Sequence, residues 1–123
     1  MALTFRAIVR RSGQVTILDL SGRVALADGS KDLSEKVREI VNEGHTQVLL
    51  NLAEVTYFDS SGLGELMTSF GTVKRAGGKM KLLNLPPRIA DLFRMTKLEN
   101  VFERFADERE AVASFNDGQA AAV

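Results

Sequence analysis

The chain has 123 residues, 45% of them hydrophobic, which suffices for one domain with its own core and without metal or disulfide staples. Its 16 basic and 16 acidic residues balance, so net charge points neither to direct nucleic-acid binding nor to an anionic membrane surface. With no cysteine and one histidine, disulfides, thiolate catalysis and a cysteine or histidine metal cluster are excluded, and neither a metal nor a cofactor is expected.

Met1 to Arg6 has no apolar leader, and no segment is apolar for long enough to span a bilayer, so a soluble, cytoplasmic chain without membrane insertion is expected. Thr4 to Arg10 alternates Phe5, Ala7 and Val9 with Arg6, Ile8 and Arg10, the pattern of a half-exposed edge strand. Ser12-Gly13 supplies a turn, and the β-branched run Gln14 to Leu20 folds back as its antiparallel neighbour. Beyond Gly22, Ser30 offers an N-cap to a helix with Leu33, Val37, Ile40 and Val41 on one stripe, ended by Asn42 to Gly44. Gln47 to Leu52 is nearly continuous in apolar residues, as in a central strand covered on both faces.

Leu63, Leu66, Met67, Phe70 and Val73 then recur at helical spacing, and Lys74, Arg75 and Gly77-Gly78 mark that helix's C-terminus. Met80 to Leu85 reads as a strand, and Pro86-Pro87 opens a short helix with Ile89, Leu92 and Phe93 inward. Val101 to Phe105 alternates as a last strand, and Asp107-Glu108-Arg109-Glu110 forms a capping box before Ala111, Val112 and Phe115. Met67, Met80 and Met95 fall on apolar stripes and are read as core. The order β-β-α-β-α-β-α-β-α predicts one α/β domain over residues 1–115, with a mixed, mostly parallel sheet of about five strands and about four helices. Residues 116–123 read as a frayed tail.

Functional surface in open α/β sheets lies beyond the carboxyl ends of the strands, where Asp59-Ser60-Ser61-Gly62-Leu63-Gly64 is expected, with residues 22–29 and 84–88 on the same rim. Tyr57 and Phe58 are read as buried anchors of that loop. A phosphate oxygen on Ser60 or Ser61 would meet unpartnered N–H groups and the positive end of a helix dipole, and Gly62 and Gly64 carry no side chain to block a partner. The same residues also fit a plain helix cap. Catalysis is not expected: Gly-x-Ser-x-Gly and the nucleotide-binding glycine signatures are absent, His45 reads as an exposed loop residue, and Glu65 reads as a first-turn dipole partner rather than as half of a carboxylate pair with Asp59. Arg10-Arg11 and Lys74-Arg75 read as a turn flank and a helix end.

Asp59-Ser60-Ser61-Gly62-Leu63-Gly64, following Val48-Leu49-Leu50-Asn51-Leu52 and preceding Gly77-Gly78-Lys79-Met80, resembles the STAS domain of anti-sigma factor antagonists. The resemblance runs through the two-strand start, the Pro86-Pro87 turn and the Leu92-Phe93 helix, and makes residues 1–115 the STAS domain. It implies that Ser60 is phosphorylated by a serine-kinase anti-sigma factor. Asp59, Ser61, Gly62, Leu63, Gly64, Arg23 and Asp28 would then belong to the surface that binds this partner, and a serine phosphatase is a further implied partner. Oligomeric state is left open. The family pattern after the second strand, Gly-acidic-apolar-Asp, is here Gly22-Arg23-Val24-Ala25, so negative charge is missing near Ser60 unless Asp28 restores it. The alternatives are a non-switching STAS scaffold and a small-ligand or nucleotide-binding module in another regulatory or lipid-transport complex.

Overall fold

The computed structural model describes residues 5–25 and 31–116. Five strands form one sheet in the order β1-β2-β3-β4-β5: β1 (Arg6–Ser12), β2 (Val15–Val24), β3 (Gln47–Phe58), β4 (Lys79–Leu83) and β5 (Arg104–Phe105). β1 and β2 are antiparallel and every other pair is parallel, as the alternation of strands and helices requires. The helices are α1 (Lys31–Asn42), α2 (Ser60–Arg75), α3 (Pro87–Met95) and α4 (Glu108–Ser114).

Strand periodicity divides the core. Leu18 and Leu20, Val48, Leu50 and Leu52, and Met80 and Leu82 face the first three helices. There they meet Leu33, Val37 and Ile40 of α1, Leu66 and Val73 of α2, and Ile89 and Phe93 of α3. The residues between them, Val15, Ile17, Leu49 and Leu83, point the other way and pack on Ala111 and Phe115 of α4. The continuous apolar run of β3 is thus explained by burial on both faces.

Several boundaries differ from the sequence reading. β1 starts two residues later than Thr4, and both Ile8 and Val9 are exposed on this edge strand. β5 is confined to Arg104–Phe105. The larger differences are in β2, which runs on to Val24, and β3, which runs on to Phe58. In their pairing, Asp19 and Ser21 face Asn51 and Glu54, and Gly22 and Arg23 face Val55 and Tyr57. At each step β3 advances one residue more than β2, so β3 carries two bulges. The bulges bring Leu52, Val55 and Phe58 to the same face three residues apart, a spacing that hides a strand from any search for alternation.

The helix ends follow their sequence signals. Gly77, at φ +80°, donates to the Lys74 carbonyl and Gly78 to that of Val73, closing α2 in a Schellman motif. Asp107 caps α4 by accepting the Glu110 N–H at 3.0 Å. Pro87 occupies the first turn of α3. Met67 packs against the core and Met80 is buried within it, whereas Met95 at the end of α3 is 79% exposed and is not a core residue. Ser30, read as the cap of α1, lies outside the described residues, as does the tail beyond Asn116.

Candidate functional site at the start of helix α2

Strand β3 passes into α2 with a single residue between them, so the two serines lie in the first helical turn rather than in a loop. Asp59 is that residue and the N-cap: its extended backbone turns the chain, and Oδ1 accepts the Gly62 N–H at 2.7 Å. Its carbonyl accepts from Leu63 at 3.0 Å, and its own N–H donates to the Val24 carbonyl at the end of β2. Among the first-turn donors this leaves the N–H groups of Ser60 and Ser61 without a helical acceptor. Ser60 is exposed and Ser61 half-buried, so Ser60 presents the accessible hydroxyl. The carboxylate beside it is turned onto the helix end.

Gly62 is buried. A Cβ built there would lie 1.8 Å from the Val24 carbonyl oxygen, so glycine is required for β2 to pass beneath the first turn, and not to clear the way for a partner. Gly64 is the open one: a Cβ there would meet nothing within 4 Å. Leu63 is half-buried against the core. Glu65 faces α1, where it accepts the Ser34 hydroxyl at 2.6 Å and ties the two helices together; it lies in the second turn and is not a first-turn dipole partner.

Arg23 and Tyr57 are opposite one another across β2 and β3, and the Arg23 guanidinium carbon sits 4.4 Å from the centroid of the Tyr57 ring. Phe58 is a buried anchor as expected, packed edge-on to Phe93 of α3 at 6.1 Å. Tyr57 is not an anchor: 42% exposed, it is part of the surface two residues before the cap. No apolar pattern could have separated these two aromatics, because the second bulge of β3 decides which one turns inward. Asp28 lies outside the described residues.

The rim is also assembled differently. β4 pairs with β3 only as far as Asn51, seven residues short of Phe58, or about 23 Å along an extended strand. The Asn84–Arg88 segment therefore begins beside Asn51, where Asn84 Nδ2 donates to Asn51 Oδ1 at 3.2 Å, and not level with Ser60. Helix α3 stands beside the end of β3 in its place, bringing Ile89 and Leu92 to Phe58. His45 is half-buried in the α1–β3 loop, where its ring contacts the Arg11 guanidinium, far in sequence and sheet position from the cap. Among the described residues no helix is long and apolar enough to cross a membrane.

Comparison with known proteins agrees with this fold. The sequence is 37% identical over 71 residues to an anti-sigma-B factor antagonist of Bacillus subtilis; the match covers 58% of this chain and 64% of that one, so the chain spans less than two thirds of the relative. A crystal structure described as a putative anti-sigma factor antagonist from Thermotoga maritima superposes with a TM-score of 0.81, at 18% identity over 89% of this chain and 94% of that one. The phosphorylated form of the Bacillus cell fate determinant SpoIIAA superposes at 0.68, with 20% identity over 90% of this chain and 98% of that one. At these identities the structures speak for the fold alone. A family model for the STAS domain matches residues 6–111, nearly the whole described chain, and the protein is accordingly a member of the STAS domain family.

Proposed function

We propose that this protein is an anti-sigma factor antagonist, a binding protein and not an enzyme, whose STAS domain extends over residues 1–115 and whose docking surface is switched by phosphorylation of Ser60. The observation that carries the reading is the accessible Ser60 hydroxyl in the first turn of α2, with its own N–H and that of Ser61 left over by the Asp59 cap. A phosphate there adds about −1.5 to −2 charges. It meets two unpartnered donors and the helix dipole, so the modified domain stays folded. Toward a partner shaped to the bare hydroxyl the same group brings bulk and repulsion, and about 3 to 5 kcal/mol of differential binding turns a mostly bound population into a mostly free one. The partner is a serine-kinase anti-sigma factor, and a serine phosphatase resets the switch. The name borne by the Bacillus subtilis relative and the phosphorylated state of the SpoIIAA structure support this reading.

In the family pattern set out above, Arg23 stands where an acidic residue is expected. With Arg23 stacked on Tyr57 beside the switch, the partner's matching surface is expected to be less basic than that met by a Gly-acidic-apolar-Asp loop.

The test is incubation with ATP, magnesium and each kinase-type anti-sigma factor from the same cell, followed by intact-mass analysis and site mapping. One phosphate on Ser60 with loss of partner binding is expected. Ser60→Ala should bind the kinase partner and resist release, and Ser60→Asp should fold but bind it at least about tenfold more weakly. Phosphate-free protein with every active kinase would sink the switch and leave a constitutive STAS scaffold. Saturable nucleotide binding in the absence of any partner would assign the helix end to a small ligand.

A further inference from the structure

A groove lies between the bulged end of β3 and helix α3, outside the switch site. Its floor is Phe58 and Ile89, both buried, and its walls carry Tyr57, Leu92 and Met95 around a volume of about 330 Å³. Four large hydrophobic side chains stand out as exposed among the described residues, and two of them, Tyr57 and Met95, line this groove. An unbranched thioether left in solvent costs free energy in the isolated domain and adapts well to an incoming side chain. The groove has a charge as well as a shape. Its one carboxylate, Asp91, is paired with Arg94 at 2.9 Å, whereas Arg88 on the same wall has no ion-pair partner among the described residues.

Strand addition is disfavoured here. Although β3 has no strand neighbour beyond Asn51 on the β4 side among the described residues, its two bulges twist that edge out of the geometry a further strand would need. The groove suits side chains instead. We propose that it docks an acidic amphipathic segment of a partner protein, with an aromatic or aliphatic side chain seated between Tyr57 and Met95 and a carboxylate paired with Arg88. This assignment does not depend on Ser60 being modified, but Tyr57 lies three residues from Ser60 in sequence, so a segment held there would continue the proposed switch surface.

The test selects short random peptides displayed on phage against the whole chain, counter-selected on the Arg88→Glu/Met95→Asp double variant. Recovered sequences are then titrated as synthetic peptides by NMR. The expected peptides combine an aromatic or aliphatic residue with Asp or Glu, shift the resonances of Tyr57, Leu92 and Met95, and bind Arg88→Glu about tenfold more weakly. Exchanging the peptide carboxylate for Lys should restore part of the binding to that variant, which a purely structural role for Arg88 would not do. Both substituted positions are exposed, and matching thermal melts verify folding; Met95→Gln replaces Met95→Asp if the latter melts early. Peptides without acidic residues, shifts elsewhere on the domain, or no enrichment over the double variant would overturn the proposal. Sedimentation of the parent chain, but not of Met95→Asp, with phosphatidylglycerol vesicles would assign the groove to a lipid surface and equally overturn it.

Discussion

Asp59 performs two tasks that single substitutions can separate. As the N-cap of α2 it accepts the Gly62 N–H, and as a charged residue beside Ser60 it belongs to the docking surface proposed above. Asp59→Ala should lower stability by about 1 kcal/mol, whereas Asp59→Asn, which keeps a capping oxygen, should lose only a few tenths. Urea unfolding of both variants checks this, and equal losses would show that the capping bond is not what matters. Three residues on, Gly62 has no tolerance at all. The atom a new Cβ would strike is the main-chain oxygen of Val24, which no rotamer change can remove. Gly62→Ala is expected to cost about 3 kcal/mol and to push the start of α2 off β2, while Gly64→Ala, in open space on the same turn, should be neutral or slightly stabilising through helix propensity. Thermal melts of the pair would distinguish steric exclusion from any general need for glycine in this turn.

At the scale of elements, α2 and α3 end in the same way with different chemistry. Gly77 takes the left-handed position after α2 at φ +80°, and Lys97 takes it after α3 at φ +62°, donating to Arg94 while Leu98 donates to Phe93. A lysine in that conformation carries a Cβ penalty that glycine does not. Lys97→Gly should therefore raise stability by about 0.5 kcal/mol, measured as a higher urea midpoint at an unchanged slope. A fall in the midpoint would mean that the lysine side chain contributes more than its backbone strain costs. The bulged half of β3 is the other element that shapes the candidate site. It places Arg23 opposite Tyr57, aims the chain at Asp59, and leaves room beside α3 that a regular strand paired throughout with β4 would have filled.

Across the whole molecule, the N-terminal hairpin is fastened to the C-terminal helix through one guanidinium. Arg10 donates to Asp19 on β2 at 2.6 Å and to Glu108 at the start of α4 at 2.6 Å, and Asn51 adds a bond from β3 to Asp19 at 2.8 Å. Hydrogen bonds from Arg10 hold both carboxyls below the usual carboxylate range, and the same partners raise the pKa of Arg10. Because the folded-state values are depressed, the stabilisation is fully present above the unfolded values of about 4 and is lost as pH falls through the lower folded ones. Arg10→Gln should lower stability at neutral pH and flatten the acid limb of the stability profile. Chemical denaturation at neutral pH and near pH 3 reads the difference, and equal losses at both would show that Arg10 acts by packing and not by charge. On the same face Lys81 is nearly buried yet partnered, with Nζ donating to the Ser114 hydroxyl at 2.9 Å and paired with Glu103 at 2.9 Å, so α4 is held at both ends by cations reaching from the sheet.

How much of this was legible in the sequence depends on the range of the interaction responsible. Local patterns sufficed for the mixed α/β order, the helix caps at Asp107 and Gly77, the core stripe of α1 and the placement of Ser60 at a helix start, because each is set by residues a turn or a strand apart. The family resemblance rested on the same contiguous residues. What only the tertiary structure decided depends on residues that meet from distant parts of the chain. The bulges of β3 exist only against β2, and they turn Phe58 inward and Tyr57 outward; the need for glycine at position 62 is set by the carbonyl of Val24; and Met95, on an apolar stripe, is left exposed as the last residue of α3 while Ile89 and Phe93 of the same helix are buried. A period can be read from one segment, but steric exclusion and register belong to two, and the surface around Ser60 is made of the second kind.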